Sequence, residues 1–178
     1  MSDTATDRTE EWLERVVVGL GLCPFAAPVL SDGRLDILVS DAANADTLTA
    51  DLDHALQRLA STPAGELETT LVIVEHLLGD FDAFNDYLDI AEALIEARGL
   101  AGVIQLATFH PDYVFADAEA DDPANATNRA PYPTLHLLRE ASVEQAIAEH
   151  GNSEAIPVRN ARLLRSMTPE RWRALFGR

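Results

Sequence analysis

A chain of 178 residues, 47% apolar and 24% charged, is long enough to bury a core of its own, and it reads as one α/β domain over 1–178. Its net charge of −17 speaks against binding nucleic-acid backbones or anionic membrane surfaces. Cys23 is the only cysteine, so neither an internal disulfide nor a four-thiolate zinc site is available. Every cation is an arginine, which excludes a Schiff-base lysine and a phosphate-loop lysine and leaves guanidinium groups to hold any anion. The polar, acidic N-terminus is unlike a secretory leader and no apolar run approaches membrane-spanning length, so a cytoplasmic location is expected.

In chain order, Asp7 and Glu10 suggest a helix start, with Trp12, Val16 and Leu20 along one face and Gly19-Leu20-Gly21 as its stop. Cys23-Pro24-Phe25 then leaves extended, and Ser31-Asp32-Gly33 reads as a turn. A short strand comes next over Leu35–Val39, and then a helix from Asp46 to Ala60. Thr70–Val74 is a continuously apolar, β-branched strand of the kind buried on both faces. Asp80 caps a helix that Gly99 ends, and Val103–Phe109 is a third strand.

Strand–helix–strand–helix–strand predicts a mostly parallel sheet of about four strands with helices packed on it, the fourth strand, Thr134–Leu138, running antiparallel. A helical C-terminal extension completes the chain: one helix opened by a capping box at Ser142, one from Pro157, and one from Thr168-Pro169 carrying Trp172 and Phe176.

Between the third and fourth strands the chain runs through a long loop with no obvious helix, a feature compact domains keep for binding or closure. His110 stands at its start, at the carboxyl edge where open α/β sheets hold ligands. Asn125, Asn128 and Arg129 come after it, with Pro131 and Pro133 stiffening the exit, then His136 and Arg139. Arg129 is the best anion clamp, although a salt bridge to an internal carboxylate is an equal reading. Cys23 is the one candidate nucleophile or redox thiol. The negative end of its helix disfavours thiolate, and a buried, inert cysteine is the commoner outcome. Asp117, Asp121 and Asp122 read as a solvated acidic face, and the histidines form no metal-binding pattern.

These same stretches carry a family resemblance. Val18–Ala26, Glu68–Leu71, Phe109-His110-Pro111 and Asn125–Pro133 with Leu135–Val143 resemble the bacterial family of domain of unknown function 1415, over about Trp12 to Ile147. The resemblance implies a small cytoplasmic bacterial protein and carries no reaction or cofactor with it. From the residues themselves, the expected function is a small-molecule enzyme for an anionic substrate. Cys23 would be its nucleophile, His110 the base, and Asn125, Asn128, Arg129, His136 and Arg139 the ligand contacts. The alternative is a non-catalytic binding or regulatory module that uses the 110–139 loop.

Overall fold

Thr4, not Asp7, opens the first helix. In the structure, a computed structural model that describes residues 4–177, the Thr4 hydroxyl accepts the Asp7 N–H while the Asp7 carboxylate takes the Thr4 N–H. Asp7 is thus the third residue of a capping box. Helix α1 (Ala5–Trp12) runs on without a break into a π-helical segment, Leu13–Val18. The wider turn ends at Gly19, whose N–H reaches back to Glu14 O at 2.9 Å. A Cβ there would collide with the backbone carbonyl of Arg15, so the segment closes only with glycine. Gly21, at φ +63°, then turns the chain out of the helix.

The backbone N–H groups of Gly19 to Leu22 take the helix's last carbonyls, and the carbonyls of the turn that follows are taken by a distant element. Arg159 donates to Gly21 O at 2.7 Å and Leu20 O at 3.1 Å, and the Asn160 amide donates to Leu22 O at 2.8 Å. A short helix α2 (Ala26–Ser31) comes after Cys23-Pro24-Phe25.

The sheet holds β1 (Leu35–Ser40), β2 (Thr69–Val74), β3 (Ile104–Phe109) and β4 (Thr134–Arg139) in the order β1-β2-β4-β3. β1 and β2 are parallel, and β4 is antiparallel to both β2 and β3. The sheet is therefore mixed, with one parallel pair, and not mostly parallel. The three early strands do point the same way, but the crossover from β2 to β3 skips a position and β4 fills it. Burial supplies a reason. Leu135 and Leu137 of β4 are fully enclosed, as central-strand residues are, whereas all of β3 but Ile104 is only partly covered. β3, with Gln105 and Thr108, is better suited to an edge.

Helices α3 (Ala45–Ser61) and α4 (Phe81–Ala97) cover one face. Their Leu48, Leu52, Leu56, Leu59, Phe84 and Ala91 pack on Val72, Val74, Leu135 and Leu137. The other face takes the N-terminal helix through Trp12, Leu13, Val16 and Val17, which meet Leu71, Ala126, Ala130 and Leu164. α6 (Ala155–Arg165) and α7 (Pro169–Phe176) complete that layer. α5 (Glu140–His150) begins directly after β4, before Ser142, and α6 begins two residues before Pro157.

Arg139 is on the α3/α4 side. Its guanidinium donates to the backbone carbonyls of Leu59, Thr62 and Leu67 at 2.7, 2.6 and 2.9 Å. It closes the carboxyl end of α3 and the entry to β2, where no backbone donor reaches. Hydrogen bonds from charged donors contribute more than neutral ones, so Arg139→Ala is expected to lower the unfolding free energy by about 2–4 kcal/mol. Urea denaturation measures this. Arg139→Lys, with its compact ammonium, should recover only part of the loss.

Candidate functional site

A loop of this length must find partners for backbone groups that no strand ladder pairs, and its polar side chains supply them. Asn125 is fully enclosed. Its amide donates to Glu119 O at 2.8 Å, and its carbonyl oxygen accepts Phe115 N–H at 3.1 Å. Asn128 donates to Thr108 O, and its backbone carbonyl accepts His110 N–H. Arg129 donates from Nε to Tyr113 O and from Nη2 to Ala120 O, each at 3.1 Å. Asp122 caps the 3-10 turn Pro123–Asn128 and pairs with Arg165, which holds its carboxyl down at about 2. The asparagines and Arg129 are thus the staples of the loop.

His110 has no exposed surface. A backbone N–H can only donate, so Nδ1 must accept from Asp112 N–H (3.0 Å) and Nε2 must carry the proton, which goes to Leu78 O (3.0 Å). Leu78 is the single non-glycine residue with positive φ, +59°, among the described residues, and the imidazole fixes that strained carbonyl. The ring lies between Phe81 and Phe84, 5.1 Å from each, on the α4 side.

Cys23 packs in the opposite layer, beyond the carboxyl end of the N-terminal helix. The structure does not bring Cys23 and His110 together. Burial pushes the half-buried thiol up, offset in part by the N–H groups of Phe25 and Ala26.

His136 faces the N-terminal layer beside Phe109. The single hydroxyl proton of Thr69 goes to Leu137 O at 2.6 Å, so His136 Nε2–H must donate to Thr69 Oγ1 at 2.7 Å. Burial holds this imidazole down at about 4. Among the described residues no three His, Cys, Asp or Glu side chains gather as a metal site, and no helix is long and apolar enough to cross a membrane.

What converges instead is a cleft of about 470 Å³ between the N-terminal helix, the loop's exit and α7. Three guanidinium groups line it: Arg8 and Arg15 from the helix and Arg129 from the loop. Arg8 also lies over the Tyr132 ring, 5.8 Å from its centre. Arg15, about half exposed, is paired with Glu11 and donates to Ala174 O at 2.7 Å. Trp12, Val16, Ala126 and Phe176 form the apolar wall. A smaller cavity of about 350 Å³ lies across Trp172, rimmed by Arg165 and Arg173.

Arg129 is the only expected site residue at this cleft. Arg8, Trp12 and Arg15 were missed, yet their spacing of four and three puts them on one helical stripe. Arginines also flank the tryptophan in the part of the chain poorest in cations.

The local chemistry of the thiol and of the buried imidazole can each be checked in solution. Iodoacetamide should modify Cys23 in the folded protein several-fold more slowly than a model thiol at pH 8, and unfolding should abolish the difference. The folded pKa of His136 is below its unfolded value of about 6.5, so its contribution is complete above that pH. It is lost as pH falls toward 4, at up to about 1.4 kcal/mol per unit. Denaturation at pH 7, 6 and 5 should show a shallower slope for His136→Gln than for the wild type.

No curated protein and no solved structure matches this chain. A family model described as a protein of unknown function does match, over residues 4–174, and so takes in the N-terminal helix, the loop and most of α7. The chain therefore belongs to the DUF1415 family.

Proposed function

We propose that the chain binds a small anionic molecule in the Arg8–Arg15–Arg129 cleft, as a ligand-binding module and not through a Cys23–His110 dyad. The observation that carries this reading is the gathering of three guanidinium groups on one concave surface of a chain with net charge −17. In such a field cations are dispersed most cheaply among the carboxylates. Residues 1–128 hold five arginines against 25 acidic groups, and two of those five line the cleft. Guanidinium groups hold carboxylates and phosphates in a fixed, two-pronged geometry. The cleft volume falls within the range of small-molecule sites, roughly 300–1,000 Å³.

The π-helical segment supports the same reading. Such segments occur often at functional sites, and this one directly succeeds Trp12 and carries Arg15 and Val16 into the cleft wall. Catalysis by Cys23 has less behind it, since burial raises the thiol and the His110 ring lies in the opposite layer between Phe81 and Phe84.

The test is thermal unfolding with small carboxylate and phosphate salts at constant ionic strength, since salt alone should stabilise so acidic a chain by screening. A ligand at a hundred times its Kd should add about 2.7 kcal/mol of stability. The Arg8→Gln/Arg15→Gln double variant should fold and lose at least tenfold in affinity. If no anion raises the melting temperature at fixed ionic strength, the proposal fails.

A further inference from the structure

Resting on that reading, we infer that the cleft takes a monocarboxylate bearing an aromatic or branched apolar body, and not a phosphate or polyanion. The charge within the cleft sets the first limit. Glu11 lines the same surface and is paired with Arg15, so a multiply charged ligand meets a carboxylate at close range as well as three cations. The field of the whole chain, at net −17, opposes each further negative charge the ligand brings. A single carboxylate keeps the guanidinium contacts and minimises both repulsions.

The wall sets the second limit. Beside the guanidinium groups the cleft presents Trp12, Val16, Ala126, Trp172, Leu175 and Phe176. A hydrated phosphate gains nothing from such a surface, whereas an aryl or branched alkyl group removes it from water. Trp172 and Phe176, one turn apart on α7, already meet with their ring centres 4.5 Å apart and their planes tilted by 37°, so an entering ring would join an aromatic pair.

Trp12 supplies a third, independent observation. Only two buried side-chain polar atoms among the described residues lack a partner, and one is its indole N–H. A buried donor with no acceptor calls for an explanation, and this one belongs to a ring that borders the cleft. A carboxylate has a second oxygen to offer once the first is held by arginine.

The chain contains two tryptophans, Trp12 and Trp172, and both line the cleft, so intrinsic fluorescence reports on this site. The probes are 3-phenylpropionate, its neutral amide, acetate and inorganic phosphate, titrated at constant ionic strength with calorimetry alongside. Saturable binding of 3-phenylpropionate at least tenfold tighter than acetate, phosphate and the amide is the expected result. Leu175→Ala should weaken 3-phenylpropionate several-fold and leave acetate unchanged, which separates the apolar contact from the charge. Arg15→Gln should weaken both carboxylates together. Phosphate binding as tightly as 3-phenylpropionate would overturn the ligand class and leave the anion site standing. Binding of the amide as tight as that of the acid, or no saturable binding of any probe, would overturn both.

Discussion

Peptide groups removed from water need partners, and much of this molecule is arranged around supplying them to a single loop. The chain between β3 and β4 has no strand to pair with. Asn125, Asn128 and Arg129 therefore hydrogen-bond its carbonyls or the neighbouring strand, and Asn125 also accepts one of its N–H groups. His110 extends the same solution to the adjoining turn, where its imidazole joins Asp112 N–H to Leu78 O. Once these bonds are made, Ala126 and Ala130 can turn into the core. The chain then enters β4 as a central strand.

The same requirement recurs at or just past two helix ends. Arg139 collects three carbonyls at the end of α3, and Arg159 with Asn160 collects those of Leu20, Gly21 and Leu22. A chain without lysine meets these needs with guanidinium forks, which can hold several carbonyls at once. Each such arginine ties together distant segments: β4 to α3, and α6 to the N-terminal helix. Arg15 is arranged similarly, reaching Ala174 O on α7 from the other side of the cleft. One side chain thus connects the two helical walls.

The cleft itself is a consequence of layering. The N-terminal helix lies across the sheet with its apolar stripe inward, and the residues at the margin of that stripe reach the rim. The π-helical turn rotates the residues after Trp12 relative to a regular helix, and Gly19 is the residue that lets this turn close. Cations and aromatic rings are thereby placed side by side on one surface. The imidazoles of His110 and His136 have both hydrogen-bonding partners and apolar neighbours within the fold, apart from this cleft.

How far the sequence reached can be traced through particular residues. Apolar periodicity marked the four strands and the major helices to within a few residues. Asp80, Gly99, Gly151 and Thr168 act as the caps and stops their chemistry suggests. Complete burial of β2 was legible in its largely apolar, mostly β-branched run. These are local properties, set by neighbours in the chain. Strand order was not local: that β4 separates β2 from β3 depends on which strand can be enclosed on both faces, and only the packed sheet decides that. The roles of the polar residues were decided there too. A sequence shows that Asn125, Arg129, His110 and Arg139 can donate or accept, but not that backbone carbonyls claim them first. Arg8 and Arg15 were visible as charges on one helical stripe. Their meeting with Arg129 required the helix, the loop and α7 to be brought together by the core beneath them.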